Sequence, residues 1–254
     1  MSFCFRLKNI LFLLIVIIIL AGQSAMSKSN PESVTPTSAR SLKAIHNVEQ
    51  QVKQSMALKG MKYGAPVFLR IFKQEKELEI WIEKDNKFQL FKTYPVCTYG
   101  AGDLGPKLRE GDGQAPEGFY FVKPNQLNPY SSYHLSFNLG YPNAYDRYHK
   151  RTGSLLMVHG DCVSIGCFAM TDNKIEEIYA VVDAALNNGQ SIFRVHAFPF
   201  RMTEENLSKH KSSKWYDFWK NLKEGYDWFE KNNFQPPNVK VKNGRYIFEP
   251  LINQ

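Results

Sequence analysis

The segment 155–167 constrains the fold of this chain more than any other. An apolar run at 155–158 leads into His159 and Gly160, and a short stretch then leads through Ser164 and Gly166 to Cys167. An apolar run bounded by glycine predicts a buried strand that ends in a turn. The segment therefore predicts a cysteine and a histidine, each beside a glycine, at the end of a buried strand.

These residue types suit nucleophilic catalysis. A cysteine attacks as the thiolate and needs a base, most often histidine, so Cys167 is the candidate nucleophile and His159 the candidate base. The backbone amides of Gly166 and Cys167 can stabilise an oxyanion, and the Ser164 hydroxyl can brace the turn. Spacing alone leaves open a buried structural cysteine beside a core histidine, a metal site, and a Cys162–Cys167 disulfide.

The order His-Gly, linker, Ser-x-Gly-Cys resembles the catalytic signature of the L,D-transpeptidase family with the YkuD-type domain, cysteine enzymes that act on peptidoglycan. Residues 159–172 are similar to the YafK-like branch of that family. The resemblance covers about 66–200, and residues 112–120 match the family segment Asp-x-x-x-Pro-x-Gly-x-Tyr. It implies an α+β fold with a mostly-β L,D-transpeptidase catalytic core and flanking helices.

The resemblance also implies a mechanism. Cys167 attacks the meso-diaminopimelate carbonyl of a peptidoglycan stem peptide, a thioester forms, and His159 protonates the leaving amine, with the Gly160 carbonyl fixing the imidazole tautomer. The branch points to amide hydrolysis, including release of wall-bound protein, and a wall-linked lipoprotein is then a partner. The alternative is a transpeptidase that forms cross-links or attaches protein to the wall. No cofactor or metal is implied.

Two departures from the family pattern concern the site. The linker between the two halves of the signature is only residues 161–163, and Ile165 stands where most members have a second histidine. Ala169 replaces the arginine or asparagine that follows the cysteine. A shorter linker removes part of the wall over the site, so we expect the cleft to be more open than is usual in the family.

Other residues are candidates for substrate binding. The loop 141–151 precedes the catalytic strand, where loops commonly shape a cleft. Arg147 in this loop can clamp a substrate carboxylate or form a structural ion pair with Asp146 or another acid. Tyr133 and His134 can line the pocket or the oxyanion site, although an ordinary place in a strand is the alternative.

The N-terminus indicates export. Arg6 and Lys8 precede an apolar run at 10–20 that is short for a membrane span, so residues 1–27 read as a signal peptide, with an uncleaved anchor as the alternative. We therefore expect a periplasmic protein without a transmembrane helix in the mature chain. The net charge of +8 suits an anionic wall polymer, and no motif points to nucleic acid.

Cys97, Cys162 and Cys167 remain after the signal peptide. If Cys167 is the nucleophile, Cys97 and Cys162 either form a disulfide or stay buried thiols, and we favour thiols because a sequence carries no Cα separation. A zinc hydrolase using His159, Cys162 and Cys167 is another hypothesis. A third is a noncatalytic peptidoglycan-binding protein in which Cys167 is only buried.

The pattern along the chain predicts its organisation. Residues 28–60 form a linker and an N-terminal helix, residues 61–200 the catalytic domain, and residues 201–254 an aromatic-rich C-terminal helical extension packed on the core. Short β-type runs are predicted at 67–72, 78–82, 88–91, 94–98, 118–122, 134–137, 155–159 and 192–198. Helices are predicted at 41–59, after Asp172, which is expected to be the N-cap, and at 214–230, where aromatic residues form one stripe.

Overall fold

The computed structural model describes residues 35–251. The predicted signal peptide at 1–27 and the start of the predicted linker lie outside this range. Within it, no helix is long and apolar enough to cross a membrane. The helices are α1 (Ala39–Leu58), α2 (Ala144–Tyr148), α3 (Asp172–Asn187), α4 (Glu204–Lys209) and α5 (Tyr216–Lys231).

Two sheets and a hairpin form the β structure. The strands are β1 (Val67–Phe72), β2 (Glu77–Lys84), β3 (Lys87–Pro95), β4 (Gly118–Val122), β5 (Leu127–Asn128), β6 (Ser136–Asn138), β7 (Met157–His159), β8 (Phe168–Ala169), β9 (Phe193–Phe198), β10 (Asn238–Lys242) and β11 (Arg245–Glu249). The five-stranded sheet has the order β3-β2-β1-β9-β4, the four-stranded sheet β5-β6-β7-β8, and β10 pairs with β11. The predicted α+β fold is confirmed.

The central strand of the larger sheet, β1, is buried on both faces. All six of its residues are buried, and all except Arg70 are apolar, as expected for a strand that is covered on both faces. Leu69 and Ile71 belong to the main core, whereas Phe68 and Phe72 lie in clusters on the opposite face. Strand β1 pairs in parallel with β9 and antiparallel with β2, so the sheet joins residues that are far apart in the sequence.

Helix α5 packs on the second face of this sheet. Trp219 and Leu222 are buried in the cluster that contains Phe119 and Phe198. The helix approaches closely because position 225 is glycine: a Cβ there would lie 2.5 Å from Phe119 Cζ. The aromatic stripe predicted at 214–230 thus lies largely against the protein's own core, and helix formation begins two residues later than predicted.

A fully buried ion pair connects α5 with the sheet and with the loop that follows β3. The Lys73 ammonium lies 3.0 Å from Glu117 Oε1 and donates to the Gly105 carbonyl at 2.7 Å. Trp219 Nε1 donates to Glu117 Oε2 at 2.8 Å. Both charged side chains are fully excluded from water, so each depends on the other and on these polar neighbours.

Two local predictions were wrong. The runs 88–91 and 94–98 were expected as separate strands, but β3 is continuous from Lys87 to Pro95 and accommodates a register shift opposite Ile80 and Trp81. Asp172 was expected to cap α3, but it is the first helical residue. Its carboxylate accepts the backbone N–H of Asp161 at 2.8 Å and so joins the helix to the turn after β7.

The ion pair gives a stability prediction. Lys73→Met leaves the Glu117 carboxylate buried without its cation, and we expect the free energy of unfolding to fall by about 3–5 kcal/mol. Urea denaturation measures this loss. The double variant Lys73→Met/Glu117→Gln buries no charge and is expected to recover part of the stability; a double variant at least as unstable as Lys73→Met would contradict the ion-pair explanation.

His196 on β9 is a second buried titratable group. Its ring lies between Phe68 and Phe119, with both centroid distances 4.6 Å. Neither ring nitrogen has a hydrogen-bond partner within the described chain. Burial, with added repulsion from Arg194 and Arg70, holds the pKa of His196 well below its ordinary value, so the folded protein keeps this imidazole neutral.

The neutral imidazole predicts a pH-dependent stability. When the pH falls below 6.5, the ordinary pKa of histidine, the imidazole of His196 binds a proton in the unfolded state but not in the folded state. The free energy of unfolding therefore falls by up to about 1.4 kcal/mol per pH unit because of this residue. Between about pH 7.5 and pH 5, the free energy of unfolding of His196→Phe should fall less than that of the wild type, as measured by urea denaturation at each pH. The control variant His46→Gln, at an exposed histidine, should show the same pH dependence of stability as the wild type. If His196→Phe also shows the wild-type pH dependence, His196 does not contribute to it.

Candidate active site

Cys167 lies at the end of a tight loop that leads into β8. Gly166 precedes it with a φ of 140°, a conformation that favours glycine, and a Cβ there would lie 2.9 Å from the Gln114 carbonyl oxygen. The Ser164 hydroxyl donates to the Cys167 carbonyl at 2.7 Å and accepts from the Gly166 amide at 3.0 Å. Ser164 therefore braces the turn, and the Gly166 amide is engaged inside the loop.

His159 and Cys167 lie on two neighbouring segments of the smaller sheet. His159 on β7 is in register with Ala169 on the parallel strand β8, and Cys167 is two residues before Ala169, in the bend that leads into β8. One strand spacing and a two-residue offset place their Cα atoms roughly 8 Å apart. The predicted pair is thus brought together by the local sheet.

The Cys167 thiol is the free thiol among the described cysteines and is half-buried. The Met157 amide donates to its sulfur at 3.4 Å, and the thiol points to the Leu155 carbonyl at 3.6 Å. Burial raises the pKa of Cys167, while the Met157 amide and the Lys107 ammonium oppose this shift. Burial is the largest of these effects, so the neutral thiol is favoured in the free protein.

The His159 imidazole is buried and oriented. Its Nδ1 lies 2.5 Å from the Gly160 carbonyl oxygen, so Nδ1 carries the proton that this acceptor requires and Nε2 keeps its lone pair. The Tyr133 ring covers the imidazole at a centroid distance of 4.8 Å. Burial lowers the pKa of His159, although the Gly160 carbonyl and Asp161 oppose the shift, so the ring is a neutral base at neutral pH.

Gly160 lies where a side chain has no room. A Cβ at this position would meet Asp172 Oδ1 at 2.6 Å and the Tyr133 carbonyl oxygen at 2.9 Å. Its amide is shared between the carbonyls of Tyr133 and Leu135, both at 3.1 Å. Close packing of the backbone at Gly160 therefore fixes the carbonyl that orients His159.

A strand-like segment at 97–101 supports the nucleophile loop from its other side. Thr98 pairs with Ala169, and Gly100 pairs with Gln114. A Cβ at Gly100 would lie 2.7 Å from the Gly166 nitrogen, so glycine is required for the two loops to meet. The segment around Gln114 therefore contacts the nucleophile loop both directly and through Gly100.

Cys97 and Cys162 form a disulfide, with their Cα atoms 5.6 Å apart. The preference for two buried thiols was wrong. The bond joins residues 65 apart in sequence, and the neighbouring Thr98 also pairs with Ala169, so the segment after β3 is held to the loop of Cys167 in two places. Because Cys162 is bonded to Cys97, it is not a free thiolate, and the zinc hypothesis loses one of its three ligands.

Of the residues that were predicted to bind substrate, one lies beside His159 and two do not. Tyr133 lies against His159, whereas His134 Nε2 is 2.8 Å from Glu176 on α3. Arg147 is exposed on α2, and its guanidinium donates to the Pro142 carbonyl. The acid considered as its partner, Asp146, pairs instead with Arg151 at 2.8 Å. The structure therefore brings Tyr133 to His159, and it engages His134 and Arg147 elsewhere.

A cleft of about 570 Å³ runs beside the nucleophile loop. Its lining includes Gln114, whose carbonyl contacts Gly166. The charged lining residues are the cations Arg109 and Lys214 and the acids Asp103 and Asp112. Trp215 forms another wall and packs on Gly105, where a Cβ would lie 2.3 Å from the indole nitrogen. Sequence reasoning missed this cleft because Lys214 and Trp215 are distant in sequence from the signature.

Lys107 is a second residue that sequence reasoning missed. Its ammonium is buried and pairs with Asp112 at 2.7 Å. Burial of the Asp112 carboxyl raises its pKa, but hydrogen bonds from the Arg109 amide, the Lys107 ammonium and two further amides outweigh this effect. Together these hydrogen bonds lower the pKa of Asp112 to about 2. The position of Asp112 in the recognised segment 112–120 is the sequence signal that pointed to this place.

The rim of the site is apolar and exposed. Ile165 is 88% exposed, Leu155 62% and Val163 51%. Ile165 and Val163 belong to the short loop between His159 and Cys167, and the Leu155 carbonyl faces the thiol. Exposed apolar side chains therefore lie both before β7 and in the loop between β7 and Cys167.

Known proteins resemble this chain over a region that includes the candidate site. A sequence model of the YkuD L,D-transpeptidase catalytic domain matches residues 67–196. The Escherichia coli K12 protein named "Putative L,D-transpeptidase YafK" is 48% identical over 201 residues, which cover 79% of this chain and 81% of that protein. The Escherichia coli O157:H7 protein of the same name matches equally.

Solved structures give weaker likenesses. The helical cell shape determining protein Pgp2 from Campylobacter jejuni is 17% identical with a TM-score of 0.42, over 76% of this chain and 81% of that one. Bd1075 from Bdellovibrio bacteriovorus is 17% identical with a TM-score of 0.39, over 67% and 61%. The sequence matches decide the family: this chain belongs to the L,D-transpeptidase family with the YkuD catalytic domain.

Proposed function

We propose that this protein is an exported cysteine enzyme that hydrolyses amides at the meso-diaminopimelate carbonyl of peptidoglycan stem peptides, including amides that hold protein on the wall. The observation that carries the proposal is the parallel pairing of β7 with β8, which brings His159 and the bend that holds Cys167 to neighbouring segments. Family membership supplies the substrate class, and the geometry of the pair supports acyl transfer.

The first step of the proposed reaction starts from neutral partners. Burial disfavours both the thiolate and the imidazolium, so the free enzyme holds a thiol and a neutral imidazole. His159 Nε2 takes the thiol proton as the Cys167 sulfur attacks the carbonyl carbon. The carbon–nitrogen bond then breaks, and the same proton passes to the leaving amine, which leaves a thioester on Cys167.

The second step returns the enzyme to its starting state. Water gives a proton to His159 Nε2 and attacks the thioester carbonyl, the carbon–sulfur bond breaks, and the sulfur regains the proton. Because Ser164 occupies the Gly166 amide, the Cys167 amide is the proposed donor to the oxyanion in both steps. Gly166 then acts by allowing the sharp turn that aims this amide.

The short loop before Cys167 favours hydrolysis with a bulky leaving group. The loop that carries Val163 and Ile165 is short and exposed, and the Cys97–Cys162 disulfide holds it against the segment 97–101. We propose that this short loop leaves room for a polypeptide attached to the stem peptide. We propose that the cleft with Arg109 and Lys214 holds stem-peptide carboxylates, the role that the sequence assigned to Arg147.

The proposed location is the periplasm. Disulfides form and persist in oxidising compartments and are rare in the cytosol, so the Cys97–Cys162 bond supports export. The N-terminal pattern of Arg6, Lys8 and the apolar run at 10–20 gives the route.

Release of wall-bound material is the direct test. Sacculi incubated with the wild-type protein should lose protein or peptide fragments without gaining cross-linked dimers, as read by mass spectrometry. Cys167→Ala should release nothing above the buffer background, and His159→Ala should be slower by about 10²–10⁴-fold because the proton transfers lose their base. His149→Ala is the matched control, since His149 bonds to the Gly244 carbonyl, and should act as the wild type.

New dimers in this assay would identify a transpeptidase instead. No change in the sacculi with any variant would favour the noncatalytic wall-binding hypothesis.

The raised pKa of Cys167 predicts a pH profile. Below that pKa the thiolate fraction grows tenfold per pH unit, so alkylation of Cys167 by iodoacetamide should accelerate about tenfold from pH 7 to pH 8. Lys107→Met removes a cation that favours the thiolate and should move the profile to higher pH, whereas Lys107→Arg should leave it nearly in place. A plateau across neutral pH would indicate a preformed thiolate–imidazolium pair and contradict the neutral-pair mechanism.

A further inference from the structure

A cavity of about 610 Å³ opens at the amino ends of β1 and β9. Val67, Phe68 and Arg194 line it, and all three lie at the start of their strands. At the opposite end of β1, the Lys73 ion pair joins the sheet to the loop that contains Glu117. That loop also contains Gln114, which contacts the turn before Cys167. Six extended residues span roughly 17 Å, so the cavity is a separate place from the candidate active site.

Arg194 has an unusual environment in this cavity. It is half-buried, its Nε is buried without a hydrogen-bond partner, and no acid lies within ion-pair distance of it in the part of the chain described, 35–251. Its nearest aromatic neighbour is Phe121, with the guanidinium 5.6 Å from the ring centroid. A guanidinium withdrawn from water without a counterion costs free energy, which an anion bound in the cavity would offset.

Glu83 supplies the opposite charge on the same face of the sheet. Phe68 is in register with both Trp81 and Arg194, so these three side chains share a face, and Glu83 follows Trp81 by two residues on that face. Two strand spacings and an offset of two residues separate the Cα atoms of Glu83 and Arg194 by roughly 12 Å. They form no ion pair with each other within the described structure, and both line the cavity.

The rest of the lining suits a peptide. Phe88 and Ile192 provide apolar contact, and Ser191 and Asn238 provide hydrogen-bonding side chains. A guanidinium and a carboxylate separated across such a cavity match the carboxylate and ammonium ends of a short zwitterionic peptide. A simple anion would satisfy Arg194 but would leave Glu83 without a cation.

We propose that this cavity is a second binding site, in which Arg194 holds the carboxylate and Glu83 the ammonium of a short peptide. The site does not use Cys167, so peptide binding there does not depend on the proposed hydrolase activity.

Three matched probes test the two charges: alanylalanine, its N-acetyl derivative and its C-terminal amide, titrated into the full chain by calorimetry or NMR. Alanylalanine should bind, and Arg194→Gln should weaken it at least tenfold. Glu83→Gln should weaken alanylalanine but leave the N-acetyl derivative unchanged, because that probe lacks the ammonium group. Lys62→Gln, at an exposed lysine outside the lining, is the matched control and should change nothing.

The fold of Arg194→Gln is checked by its melting temperature. It should equal or exceed that of the wild type, since the substitution removes an uncompensated charge.

Several outcomes would overturn the proposal. These are the absence of alanylalanine binding, equal binding by Arg194→Gln, and inorganic phosphate binding as well as alanylalanine, which would mean a simple anion site. A fourth is binding seen only in a variant ending at Leu251, which lines the cavity, because the segment 252–254 would then be the natural occupant.

Discussion

The buried pair of Lys73 and Glu117 is the interaction on which the rest of the structure depends. Lys73 follows β1, Glu117 precedes β4, and Trp219 on α5 completes the set, so three distant parts of the chain meet at one point without water. Each charge is tolerated only because the others are in place. The loop fixed in this way includes Gln114, which contacts the nucleophile turn, and a structural ion pair is thereby connected to the reactive thiol.

The candidate active site follows from backbone geometry more than from charge. Parallel pairing of β7 with β8 sets the separation of His159 and Cys167, and glycines at 100, 160 and 166 let three backbone segments approach closely. Burial favours the neutral forms of both side chains, the thiol of Cys167 and the imidazole of His159.

The sequence predicted the parts of this architecture that depend on local pattern. The apolar run at 67–72 and the strand at 118–122 lie where expected, as does the helix with the aromatic stripe, because burial of one face dictates such periodicity. The Cys97–Cys162 bond, the pairing of Asp146 with Arg151 and the cleft beside Trp215 depend on tertiary distances that no local pattern contains. Family motifs pointed to Cys167 and His159 as the candidate pair, and only the fold could show that the Gly166 amide is already engaged.

The parallel pairing of β1 with β9 has a consequence for how the molecule assembles. Every residue of the candidate catalytic pair lies in the stretch of chain between these two strands, so closing the sheet also closes a long loop around them. Contacts of this kind between distant parts of the chain are slow to form, because a long loop must close first. Until β9 arrives, β1 is an apolar strand with an open edge, the kind of surface on which chains aggregate, and completion of the sheet removes that hazard as it positions the reacting groups.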